Sequence, residues 1–121
     1  DASAAFRNAE GLNVLELLRH ARAHGGRLAG FTGGDAISPA DLLATDCDVL
    51  VPAALGGVIT AANAESIRAP IIIEAANEPV DPEADAIFSA RGTIVLPDIL
   101  ANAGGVTASW FEWVQNRQHY Q

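Results

Sequence analysis

Three short apolar runs constrain this chain more than anything else in it. They lie at residues 47–51, 71–73 and 93–96, and their centres Val49, Ile72 and Val95 fall 23 residues apart each time. Each interval holds one helix-length stretch. Strand, helix, strand at a steady rhythm is repeated β-α-β, which implies a parallel sheet with right-handed crossovers. The run CDVLV is apolar on both faces apart from Asp48, as suits a covered parallel strand. The helices between the runs differ in length and pattern, so this is no solenoid repeat, and no linker divides the 121 residues. The expectation is one α/β domain over residues 1–121.

Local punctuation sharpens the pattern. The chain opens on a polar, loop-like stretch. Asn13-Val14-Leu15-Glu16 has the form of a capping box. The helix it starts should end near His24, ahead of Gly25-Gly26. A short strand over 27–31 and a turn at Thr32-Gly33-Gly34 are expected next. Ser38-Pro39 starts a short helix. Thr60 caps another, to about Ile67. Asp81-Pro82 starts a third that stops at Gly92, and a longer helix covers roughly 104–118.

Charge and composition exclude several function classes. Acidic residues number 15 against 7 basic ones, all Arg, for a formal charge of -8. Phosphate backbones need a basic surface, so nucleic acid is excluded as a partner, and anionic membranes with it. The acidity is accounted for by solubility. No basic-then-apolar leader opens the chain, and no apolar run approaches bilayer-spanning length. These features lead us to expect a soluble, cytoplasmic protein. The only cysteine, Cys47, sits in an apolar run and reads as a small buried hydrophobe. His20 and His24 stand at i, i+4, but no third metal ligand accompanies them. Trp110 and Trp113, with Val106 and Val114, form a stripe suited to packing against core or another subunit.

Open parallel sheets bind ligands beyond the carboxyl ends of their strands. Three segments occupy those ends: Pro52-Ala53-Ala54, Ala75-Ala76-Asn77, and the stretch from Asp98 to Asn102. Each combines small residues, which allow close backbone approach, with at most one amide side chain. An Asn offers both donor and acceptor to ribose hydroxyls or a carboxamide. Asn also ends strands for turn reasons, so both readings stay open for each. Gly104-Gly105, at the start of the last helix, fits either a ligand approach or a tight strand-to-helix turn.

Three motifs carry a family resemblance: CDVLVPAALGGVIT (47–60), IIIEAANEPVDPEAD (71–85) and PDILANAGGVTASWFEWVQN (97–116). In this order and spacing they resemble the later part of the NAD(P)-binding domain of glutamate dehydrogenases, within the glutamate/leucine/phenylalanine/valine dehydrogenase family. The TASWFEW segment is closer to the glutamate enzymes than to the leucine and phenylalanine ones. The resemblance implies a Rossmann-like fold and the oxidative deamination of L-glutamate to 2-oxoglutarate and ammonia. NAD is the implied cofactor, with NADP as the variant.

The resemblance also implies site residues. Ala53 and Ala54 match positions along the adenosine side of the dinucleotide, Asn77 one at the nicotinamide ribose, and Asn102 one at the nicotinamide end. Asp1 aligns with an acidic residue on the adenosine ribose, which favours NAD. Val106 and Ser109 match positions lining the amino-acid pocket, the serine donating to the substrate's side-chain carboxylate. Two positions depart from the family pattern. Glu78 stands where glycine is usual, and Gly56-Gly57 replaces a more polar pair, which should loosen that turn.

No G-x-G-x-x-G and no Lys occur in the chain. The usual pyrophosphate cradle and the family's catalytic Lys and Asp are therefore not among these residues, and we assign no catalytic residue. The fold expected is a partial Rossmann-like sheet without the first mononucleotide-binding half. Taken alone, the 121 residues should be inactive and bind no cofactor. Exposed sheet edges should drive homo-oligomer formation. The alternative is a non-catalytic remnant serving as an assembly or small-ligand-binding module.

Overall fold

The computed structural model describes residues 4–118. The chain divides into two compact units at the Thr45–Asp46 bond.

In the first unit, β1 (Ala5–Arg7) pairs antiparallel with β2 (Asp35–Ile37), Phe6 opposite Ala36. Between them runs α1 (Val14–Ala23), and after them α2 (Pro39–Leu43). Both helix starts follow the sequence: Asn13 Oδ1 accepts from Glu16 N, and Ser38 Oγ from Asp41 N. The small core centres on Phe31, with the rings of Phe6 and His20 each edge-on at 5.6 Å. His20 and His24 stack at 4.0 Å, one turn apart. Two expectations fail here. The polar opening contains β1, and residues 27–31 form no strand. Phe31 N bonds Leu28 O, and Gly30 takes a φ of 83°, so this stretch turns instead of extending.

The second unit carries the parallel sheet in the order β3 (Val49–Leu50), β4 (Ile71–Ile73), β5 (Ile94–Leu96). Leu50 pairs with Ile72, and Ile72 with Val95. The crossovers are α3 (Ala61–Ala64) and α4 (Pro82–Arg91). This is the α/β architecture expected. Thr60 is the N-cap of α3, as expected, and Asn63 Oδ1 accepts from Thr60 N to form a capping box. The chain continues to Ile67 in tighter i to i−3 turns, so the α-helix proper is shorter than expected. Asp81 Oδ1 caps α4 through Ala84 N, and Gly92 ends it in the left-handed conformation.

Ile59, Ala64, Ile67, Ala69, Ile72, Ala84 and Phe88 form the core, each at most 1% exposed. Burying a side chain such as Phe88 contributes roughly 1.5–3 kcal/mol. Arg91 braces the amino end of the sheet: Nη1 and Nη2 donate to Ala64 O and Ile67 O, and Nε to Thr93 Oγ1. The register sets Val49, Ile71, Ile73, Ile94 and Leu96 on one face of the sheet, opposite the fully buried Ile72. Ile94 is 63% exposed and Val49 43%. Within these residues the sheet is thus covered on one face, where covering on both was expected.

Beyond β5, the long helix expected over 104–118 is present, and a short helix that was not expected precedes it. Short α5 (Asp98–Ala101) and long α6 (Ala103–Gln118) meet at Asn102, whose φ of −112° breaks the helical run. Trp110 and Trp113 stack at 5.2 Å on α6. Both are more than half exposed, as are Phe111 and Val106, so the stripe is not core among the described residues. No described helix is long and apolar enough to cross a membrane.

Candidate functional site

The loops that follow the three parallel strands are tied into one edge. Pro52 O, just after β3, accepts from Ala75 N at 3.1 Å and Ala76 N at 2.9 Å. The loop after β4 then runs beside the loop after β3: Gly57 N donates to Glu78 O, Ile59 N to Pro79 O, and Asp81 N to Ile59 O. Ala53 and Ala54 lie exposed on this edge.

Asn77 leaves the β4 loop, and Asn102 closes α5. The structure brings their side chains together: Asn102 Nδ2 donates to Asn77 Oδ1 at 2.7 Å. That bond uses one end of each amide. Asn77 Nδ2 and Asn102 Oδ1 take no part in it, which leaves the pair one further donor and one further acceptor. Val106 and Ser109 stand three residues apart within α6, so helical periodicity sets the two along the same side of it. Both are exposed. Asp1 lies outside the described residues.

Two residues that the sequence reading did not single out hold this edge in place. Glu74 is the first residue past β4 and only 7% exposed. Its carboxylate accepts from Val80 N at 3.3 Å and from Asp98 N at 2.9 Å. Asp98 Oδ2 in turn accepts from Glu78 N at 2.9 Å. The signal available in sequence was a lone carboxylate closing an otherwise apolar strand.

A cleft of about 400 Å³ opens beside Asn77, lined by Gly56, Gly57, Glu78, Val80, Asp81 and Pro82. Glu78 sits in the left-handed region at φ 46°, where a residue with a side chain is strained and glycine is not. Gly56 proves tightly placed, not loose: a Cβ on it would stand 2.8 Å from Asn77 O. With two carboxylates around it, this cleft suits no phosphate. The paired amides suit ribose hydroxyls and a carboxamide. The residues present therefore fit the nicotinamide half of a dinucleotide and not its pyrophosphate. No group of three or more His, Cys, Asp or Glu side chains that could hold a metal ion occurs among the described residues.

Comparison with known proteins agrees with the topology. The family model described as Glutamate/Leucine/Phenylalanine/Valine dehydrogenase matches residues 1–121. The chain is 51% identical over 120 residues to the glutamate dehydrogenase of Thermotoga maritima, covering 99% of this chain and 29% of that protein. Among solved structures, the hetero-hexameric glutamate dehydrogenase of Thermus thermophilus in its Leu-bound form aligns with a TM-score of 0.80 and 32% identity. That alignment covers 99% of this chain and 28% of the other. The glutamate dehydrogenase of Peptoniphilus asaccharolyticus aligns with a TM-score of 0.61 and 38% identity, over 93% and 23% of the two chains.

Proposed function

The chain belongs to the glutamate/leucine/phenylalanine/valine dehydrogenase family, and from that premise we propose that its carboxyl sheet edge forms the nicotinamide side of the cofactor site in an NAD(P)-dependent glutamate dehydrogenase. The segment spans less than a third of the relatives it matches. The reaction is oxidative deamination of L-glutamate, a CH–NH2 donor, to 2-oxoglutarate and ammonia. A nicotinamide held by Asn77 and Asn102 would supply the acceptor for the hydride that leaves the amino acid's Cα. The observation that carries the reading is the Asn77–Asn102 amide pair, 2.7 Å apart beyond two adjacent parallel strands, where open α/β sheets take their ligands.

In this reading Asn77 Nδ2 and Asn102 Oδ1 bind and orient the ribose and carboxamide. Ala53 and Ala54 let the backbone approach the adenosine side, and Asp1 takes the adenosine ribose. Val106 and Ser109 face the amino acid, Ser109 donating to its distal carboxylate. The phosphates and the proton-transfer groups are assigned to residues other than these, so the 121 residues alone should not turn over substrate. The setting is cytoplasmic and the assembly oligomeric, as in the hetero-hexameric Thermus thermophilus relative.

Steady-state kinetics of the full-length dehydrogenase carrying this segment tests the reading. Asn102→Ala should lower kcat/KM for NAD by about tenfold or more through lost orientation. A change confined to the glutamate KM would refute it. A second reading, an assembly module without catalysis, draws on the apolar side chains displayed by α5 and α6. Normal cofactor kinetics in the Asn102→Ala variant would favour it.

A further inference from the structure

Glu74 stands out as a carboxylate placed under the amide pair without reaching the surface. It follows β4 directly, and its own N–H donates to Leu96 O, so its backbone still belongs to the sheet. The bond from Val80 N closes the loop that carries Asn77, at its two ends. The bond from Asp98 N fixes the first residue of α5, the turn that ends at Asn102. Asp98 completes the brace by holding Glu78 N, next to Asn77. Two carboxylates thus fix the frames from which Asn77 and Asn102 project.

We infer that Glu74, working with Asp98, is a positioning residue for the cofactor-binding amide pair, a role that rests on the dinucleotide reading above. An ionised carboxylate has only acceptors, which suits two converging backbone N–H groups. In Glu74→Gln one oxygen remains and an NH2 is turned toward the other N–H. The loop must then shift to separate two donors, and Asn77 moves with it. At 7% exposure the carboxylate acts through the asparagines and not on the ligand.

The test uses the full-length dehydrogenase carrying this segment. Glu74→Gln should raise the KM for NAD about tenfold or more, as sub-ångström misplacement of positioning groups does, and leave the glutamate KM within about twofold. Asn77→Ala tests the underlying reading and should raise the same KM. In the Asn77→Ala background, Glu74→Gln should add less than about threefold, because its route to the cofactor is gone. General destabilisation would instead multiply through in both backgrounds. A Glu74→Gln enzyme with normal NAD KM, or effects that multiply, overturns the positioning role while the cofactor reading stands. A normal NAD KM in Asn77→Ala removes both. Where Glu74→Gln does not fold, Asp98→Ala cuts the tie to Glu78 from a half-buried position and is judged by the same criteria.

Discussion

The Cα of Gly56 faces the carbonyl of Asn77 so closely that a methyl group there would stand 2.8 Å from the oxygen. The turn after β3 thereby forms a floor for the turn after β4. Gly56→Ala must push the Asn77–Glu78 backbone outward, at a cost of about 1–3 kcal/mol of stability. Urea denaturation measures this directly. A variant as stable as the parent would show that the two turns are not in contact.

Gly104 and Gly105 behave differently. A Cβ on either meets nothing within 4 Å, and both sit in the first turn of α6. Close packing therefore does not explain them. Ala at either position should stabilise the chain by about 1 kcal/mol through helix propensity. If the open space receives a ligand, the same change weakens cofactor binding in the full-length enzyme. Stabilisation with unaltered NAD kinetics would remove the ligand explanation.

Glu78 holds a backbone conformation at φ 46° that glycine adopts without strain. Relief of left-handed strain is worth roughly 1–2 kcal/mol, offset by the greater unfolded freedom of glycine. Glu78→Gly should therefore raise the unfolding free energy by about 0.5–1 kcal/mol. Glu78→Ala keeps the strain and removes only the charge. Equal stabilisation by both variants would trace the cost to the carboxylate and not to the backbone.

Trp110, Phe111 and Trp113 are each more than half exposed on α6. Side chains of this kind favour association when no further segment covers them. The 121-residue chain should sediment as a dimer or larger species, and Trp110→Ser with Trp113→Ser should shift it toward monomer. A monodisperse parent monomer in light scattering would contradict this.

Much of the fold was legible because punctuation and pattern agree. Pro70 before β4, Asp81-Pro82 before α4 and Gly92 after it fix boundaries chemically. β1 was illegible because Ala5–Arg7 holds a single large apolar residue and draws its pairing from β2, about 30 positions on. Helix α5 was hidden because Asp98–Ala101 is a single turn inside a stretch read as a strand-end loop. The candidate site was legible in part. The strand-end rule pointed to Asn77 and Asn102, whose amides the fold brings together. Glu74 and Asp98 escaped, because their partners are backbone N–H groups that no side-chain pattern announces.

The most direct test is a calorimetric titration of the full-length dehydrogenase carrying this segment with NAD. The nicotinamide-edge reading predicts that Asn77→Ala and Asn102→Ala each weaken NAD binding by about tenfold or more. Unaltered NAD affinity in both variants would contradict it.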